Sequence, residues 1–325
     1  MRVTNTMLIN NMVYNINQNL KTMEKLQYQL ATGKKFRVPS DDPIGASKSL
    51  KFNTDISKLE QYKRNAEDAL SWLDDTEAAL GEINEVLKRA YELAVQAANG
   101  TYEGDDLTKI KEEIDQLKEH LMQIANTTYA GRHIFSGYKT DQPLLIEKDG
   151  KIVYNDVFVG DLALKEDEVF EYNVGLSEKI DVNIVGIKVF GVGVVGEFGD
   201  FENNFSGRKG DAGDSVTLID VFNKFSQALE NSDADGLQNA ISNLQASMKQ
   251  ISSVRAEVGA KMNRLQLTTK KLDSQINNVK ELLSYNEDVD VAEAMMNLSM
   301  AQNVYVSSLM TGAKIIQPTL AQFLG

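Results

Sequence analysis

The chain has 325 residues, 42% of them hydrophobic and 25% charged, with a formal net charge of -13 and no cysteine. That length allows more than one domain and a sizeable core, while the acidity works against a phosphate-binding face, which needs clustered Lys and Arg. The missing cysteines exclude disulfides, thiolate metal sites and thiol catalysis, and no apolar run is long enough to span a bilayer. Neither nucleic acid nor a membrane is therefore an expected partner.

The first stretch, "MRVTNTMLINNMVYNINQN", scatters Asn where a cleaved signal peptide needs a continuous apolar segment, so export by that route is not expected. What it shows instead is a seven-residue repeat. Ile9, Ile16, Met23 and Leu30 recur at sevenfold spacing with Met12 and Leu26 between them, predicting a helix from about Thr4 to Thr32 stopped by Gly33. Asp42 is placed as an N-cap and Pro43 as a first helical residue. A second, very long helix follows, with Phe52, Leu59, Ala66, Leu73, Leu80, Leu87 and Ala94 on its seam and an end near Gly100. Asp105 and Asp106 can cap a third, with Leu107, Ile110, Ile114, Leu117, Leu121 and Ile124 on one face, stopping before "YAGR".

From about residue 140 to 214 the period drops to two, and "LLIEKDGKIVY" carries a hairpin signal with Asp149-Gly150 at its turn. Helical patterning then returns in a short segment, Ile219 to Leu229. A second very long seam follows: Leu237, Leu244, Ile251, Val258, Leu265, Leu272 and Val279. The last segment places Val291, Met295, Leu298, Tyr305, Leu309 and Ile316 on one face, with Pro318 as its expected end. The expected fold is thus mainly α with a small β insertion, a bundle of long helices whose N- and C-terminal halves pair to bury their seams. Three parts follow: residues 1–40 with 285–325 as a terminal coiled coil, 41–140 with 215–284 as a long-helix bundle, and 141–214 as a small outward β domain.

Charge agrees with pairing of the ends. Residues 1–40 carry a net +5 and residues 285–325 a net -3. In an antiparallel pair, Lys34, Lys35 and Arg37 lie beside Glu287, Asp288, Asp290 and Glu293, each cluster at the favourable end of its own helix dipole. Both terminal seams are interrupted by an amide, Asn19 in the first and Gln302 in the last. Helices of this kind are marginal alone, which leaves two readings: a coiled coil closed within one molecule, or segments that order when neighbouring copies supply the missing surface.

Chemistry is hard to find. His120 reads as a solvated helix residue, and neither it nor His133 has a metal-spaced partner. Asp41-Asp42 and Asp105-Asp106 directly precede helices, where capping explains them. "GVGVVG" at 191–196 has dinucleotide-loop spacing, but the polar, Gly-rich stretch after it cannot supply the helix N-terminus that a pyrophosphate needs. "DAGD" near 211 lacks the alternating oxygen ligands of a calcium loop. No catalytic, cofactor-binding or metal residues are expected.

"NINQNLKTMEKLQYQLATGKKFRVPSDDPIGASKSL", "RNAEDALSWLDDTEAALGEINEVLKRAYELAVQAANGT", "VRAEVGAKMNRLQ" and "NEDVDVAEAMMNLSMAQNVYVSSLMTGAKI" resemble the terminal regions of bacterial flagellins and their relatives, over roughly three fifths of the chain. Within that family, "PSDDPIGA" and "NTTYAGRHIFSGYKTDQP" are more similar to hook-associated members at the junction of hook and filament than to filament flagellins. The resemblance implies a non-enzymatic, extracellular structural subunit of the flagellum, without a cofactor, exported unfolded through the flagellar type III channel. A minor or divergent flagellin forming the filament itself is the other reading. Implied partners are copies of the chain, a first hook-associated protein, flagellin, and a cytoplasmic export chaperone on the C-terminal segment. The terminal seams, Ile9 to Leu30 and Val291 to Ile316, match the family's innermost, assembly-forming layer. In this family setting the glycines of "GVGVVG" look like a strand end and turn.

Overall fold

The computed structural model describes residues 5–99, 104–137, 140–148, 150–155, 171–196, 201–205 and 213–323. Among them are α1 (Asn5–Thr32), α2 (Pro43–Ala98), α3 (Gly104–Ala125), α4 (Gly186–Phe190), α5 (Thr217–Asn231), α6 (Ala234–Glu287) and α7 (Val291–Phe323). Six short strands form three antiparallel pairs: β1 (Thr128–Tyr129) with β2 (Arg132–His133), β3 (Leu145–Lys148) with β4 (Lys151–Tyr154), and β5 (Glu171–Asn173) with β6 (Lys179–Asp181). The fold is mainly α with small β elements in its middle. The chain divides into two compact units, Met1–Glu60 with Ser274–Gly325, and Gln61–Asp273.

In the Gln61–Asp273 unit, α2 and α6 run antiparallel, since Lys63 pairs with Asp273 at 2.7 Å, Glu77 with Arg255, and Tyr91 accepts a hydrogen bond from Gln245 at 3.0 Å. Their heptad positions form the core: Ala66, Leu73, Leu80, Leu87 and Ala94 of α2 and Leu244, Ile251, Val258 and Leu265 of α6 are fully buried. Further layers cover this seam. Ile114 and Leu121 of α3, Phe222 and Phe225 of α5, and Phe135 packed edge-on against Phe190 at 5.6 Å all belong to the same cluster.

Local chemistry sets the ends. The Asp42 carboxylate accepts the N–H of Gly45 at 2.9 Å, capping α2 just ahead of Pro43. Asp105 and Asp106 do not precede α3 as caps. The helix begins at Gly104, so both lie in its first turn, where they still meet the positive end of the helix dipole. α7 does not stop at Pro318 but runs to Phe323, because a proline removes one rung of the hydrogen-bond ladder while the turns on either side keep theirs. Gly100, the expected end of the second helix, and Asp149, in the expected hairpin turn, lie outside the described residues.

The β1–β2 hairpin has no Asn-Gly signal. Its two-residue turn, Ala130 at φ 48° and Gly131 at φ 78°, has the positive-φ pair of a type I′ turn and spends an alanine where glycine or asparagine is usual. The stretch ahead of "GVGVVG" also departs from the strand expected there: "GIKVF" forms α4. Ile187, Val189 and Phe190 are all buried, and one helical turn can sink three close-spaced apolar residues where a strand would turn alternate ones outward.

Candidate assembly surface

α1 and α7 pack against each other in antiparallel sense, with Lys34 beside Asp288, Asn19 beside Ala301 and Met12 beside Gly312. The inward face of α1 is Ile9, Met12, Ile16, Asn19, Met23, Leu26 and Leu30, spaced alternately three and four apart and all half-buried. The inward face of α7 is Ala294, Leu298, Ala301, Tyr305, Ser308 and Gly312, at the same spacing. Large side chains from α1 thus meet mostly small ones from α7. Asn19 Nδ2 donates to the Ala301 carbonyl at 2.9 Å, which a bulky residue at 301 would obstruct. A β-carbon at Gly312 would meet the terminal sulfur and methyl of Met12, so in this packing the end of the Met12 side chain occupies the space that Gly312 leaves open, and it would have to swing aside for any larger residue.

This differs from the seam read in the sequence. Leu298 and Tyr305 face inward, but Val291 (52% exposed), Met295 (62%) and Leu309 (45%) turn outward, and Gln302 is exposed. The backbone of Ile316 lies within α7, with its side chain outside the described residues. The residues missed were Ala294, Ala301, Ser308 and Gly312. Their signal, small residues recurring at three-four spacing, was outweighed by Met295 and Leu309, one position beyond Ala294 and Ser308, and by Val291.

The outward faces are rich in uncovered apolar groups. Met7, Leu8, Val13, Tyr14 and Leu20 on α1, and Met296, Met300, Val304, Val306 and Met310 on α7, are each more than 40% exposed. The sequence holds no charged residue from Val3 to Leu20 or from Ala294 to Ala313. Covering these faces strips no ion of water, and each large apolar side chain fully covered contributes about 1.5–3 kcal/mol. The geometry therefore favours burial against other helices.

The opposite end of the pair is charged. Lys34 Nζ donates to Glu287 at 2.9 Å and to Asp288 at 2.8 Å. The Lys35 backbone N–H donates to the Glu287 carbonyl, its Nζ to the Tyr285 carbonyl, and the Val289 N–H to the Gly33 carbonyl, so a short antiparallel bridge ties the two chain segments. Arg37 lies over the Tyr28 ring, 5.7 Å from its centroid, with no acidic partner from the last segment among its described contacts. Asp290 accepts the N–H groups of Ala292 and Glu293 as the cap of α7, and Glu293 sits in the first turn. The hydrogen bond from Lys34, then that from Ser284, holds the Asp288 carboxyl below its usual range, and the bonds to Asp288 and Glu287 raise Lys34. Asp41 is lowered by the backbone N–H groups of Arg37 and Val38, a turn-forming role.

The chemical candidates lie apart from one another. His120 is exposed on α3, and His133 Nδ1 lies 2.9 Å from the Asn126 carbonyl. Among the described residues no three acidic, His or Cys side chains gather as a metal site, and no helix is long and apolar enough to cross a membrane. In "GVGVVG", Gly191 ends a helix rather than a strand: its N–H closes α4 on Ile187, and its carbonyl accepts the hydroxyl of Tyr154 at 2.7 Å. Burial pushes that phenol far above its ordinary range, keeping it a neutral donor. Thr217 donates to the Gly193 carbonyl at 2.9 Å, so the Gly191 and Gly193 carbonyls are both taken up by buried hydroxyls, while the Val195 carbonyl accepts the exposed Lys224 ammonium.

A chain whose two ends pair in a seam, with exposed outer faces that carry no charge over 7–20 and 294–313, has the form of a helical assembly subunit. The bacterial flagellin N-terminal helical region matches residues 3–140, and the flagellin C-terminal helical region matches residues 241–324, together more than half of the chain. The chain is 27% identical to a flagellin of Bacillus subtilis over 299 residues, 91% of this chain and 90% of that one. It is 25% identical to flagellar hook-associated protein 3 of Escherichia coli over 320 residues, covering 94% and 95% respectively. A putative flagellar hook-associated protein from Vibrio parahaemolyticus shares the fold, with a TM-score of 0.60 at 20% identity over 76% of this chain and 99% of that chain. The chain belongs to the flagellin family.

Proposed function

We propose that the protein is a structural subunit at the junction between the flagellar hook and the filament, outside the cell, and that it is not an enzyme. The observation that carries this reading is the α1–α7 pair, with its uncharged outer faces, within a chain similar to hook-associated protein 3 along almost its whole length. Residues 1–40 with 285–325 form the assembly domain, through Ile9, Met12, Ile16, Met23, Leu26, Leu30, Val291, Met295, Leu298, Tyr305, Leu309 and Ile316. Residues 41–140 with 215–284 form a supporting bundle, and 141–214 an outward domain. Partners are other copies, a first hook-associated protein on the hook side and flagellin on the filament side. The chain reaches the cell exterior unfolded through the flagellar export channel, its C-terminal segment held beforehand by a cytoplasmic chaperone.

Removing the gene is expected to leave hooks without filaments and flagellin in the medium, with immunogold against the restored protein confined to one band per flagellum. A second reading, a minor flagellin, is favoured by the similarity to the Bacillus subtilis flagellin over nine tenths of each chain. Gold along the filament, or long filaments grown from the purified protein alone, would replace the first reading by the second. Filaments unaffected by the deletion would remove both.

A further inference from the structure

Two faces of α7 are candidates to meet α1, and they share Leu298 and Tyr305. One adds Ala294, Ala301, Ser308 and Gly312; the other adds Val291, Met295, Gln302 and Leu309. A rotation of about 50°, half of one residue's 100°, exchanges them. Apolar area alone favours the second face, since Val, Met and Leu have far more to hide than Ala, Ser and Gly. The structure adopts the first, and two contacts distinguish it. Asn19 sits among Ile16, Met23 and other apolar seam residues, and its amide donor finds the Ala301 carbonyl at 2.9 Å because small side chains let the α7 backbone come close. Met12 fits where Gly312 has no side chain. With the second face inward, Leu309 would stand near that level and the socket at Gly312 would turn away from Met12.

We propose that Asn19 and Gly312 are positioning residues that select the rotation of α7, and so keep Met295 and Leu309 outward for neighbouring chains to cover. The pair gives up burial within one molecule and retains a surface for the assembly. The rotation stands on the contacts above; its consequence for assembly rests on the reading given under Proposed function. Without these two residues, α7 turns its larger stripe inward, and the subunit satisfies itself and loses the surface.

The missing cysteines make the test direct. Met295→Cys and Ala294→Cys are placed singly in the full chain, at adjacent positions that are 62% and 2% exposed, and their maleimide labelling rates are compared. In the otherwise unaltered chain the cysteine at 295 should react at least tenfold faster than the one at 294. With Asn19→Leu and Gly312→Leu together, the order should reverse. A ratio that stays above one in the double variant overturns the proposal. So does a ratio near one in the unaltered background, and so do rates at both sites as fast as in urea, since the seam would then be lost rather than rotated. Incorporation into flagella is read separately in cysteine-free chains. If the unaltered chain fails to incorporate, the junction reading fails while the labelling result stands. If the double variant incorporates normally despite a reversed order, the link from rotation to assembly is overturned.

Discussion

α2 and α6 carry the same seven-residue rhythm as α1 and α7, yet the outcomes differ. In the Gln61–Asp273 unit the seam positions of α2 and α6 are fully buried, because α3, α5, α4 and the hairpins lay further apolar surface over them. In the terminal pair the α1 seam is only half-buried, and methionines, valines and leucines face outward on both helices. A heptad repeat states how much partner surface a helix requires; two helices alone satisfy one face of each. The buried seam belongs to a finished core, and the terminal pair leaves apolar surface uncovered within its own chain.

The comparison can be broken most sharply in the finished core. Leu80→Ala or Leu244→Ala, each removing a fully buried side chain, is expected to cost about 2–5 kcal/mol in denaturant unfolding. Met295→Ala should change the same measurement by less than about 0.5 kcal/mol, while lowering incorporation into flagella. Equal losses of stability at the two kinds of site would erase the distinction. Next in size, Tyr154→Phe leaves the buried Gly191 carbonyl with only the long 3.4 Å bond from the Thr217 N–H and should destabilise by about 1–3 kcal/mol, read as a lower denaturant midpoint.

Amide hydrogen exchange sharpens the contrast without mutation. In the isolated protein the α1 and α7 amides should exchange at least about tenfold faster than those of α2 between Ala66 and Ala94, because fewer buried contacts oppose local opening. Equal protection would mean that the terminal pair is already a finished core. Removing the cap with Asp42→Ala should cost about 1 kcal/mol, seen as faster exchange in the first turn of α2.

The smallest expected effect is that of pH on the Lys34–Asp288 contact. Asp288 is held below its ordinary 3.8, so its contribution is present above that value and lost as pH falls through the lowered one. Lys34 is raised above 10.5, so its contribution is present below that value and lost as pH climbs past the raised one. Both groups are partly exposed, and the change should amount to a few tenths of a kcal/mol. It is measurable as a fall in the protection factor of the Val289 amide in acid, its rate taken relative to the intrinsic rate at each pH, and an unchanged protection factor would show that the backbone bridge holds these segments without the ion pair.

Much of this was legible in the residues. The long helices and the seams of α2 and α6 follow from apolar spacing, and the Asp42-Pro43 start from capping chemistry. What escaped was decided by neighbours. "GIKVF" is helical because three of its side chains enter a core already formed by distant segments. The hairpin at Ala130-Gly131 uses a residue that no turn preference selects. In the candidate surface, every expected α1 seam residue lies inward, while α7 was expected about half a residue of rotation away from its actual face.

The sequence by itself determined that the chain is built of long helices with paired ends and lacks a recognisable catalytic constellation, because periodicity, capping and residue chemistry are properties of the chain alone. The rotation of α7, the pairing of large α1 side chains with small α7 partners and the choice of apolar residues left outward were decided only by tertiary structure. Those depend on a carbonyl at Ala301 and a socket at Gly312 meeting Asn19 and Met12 from the other end of the chain, which no local pattern contains.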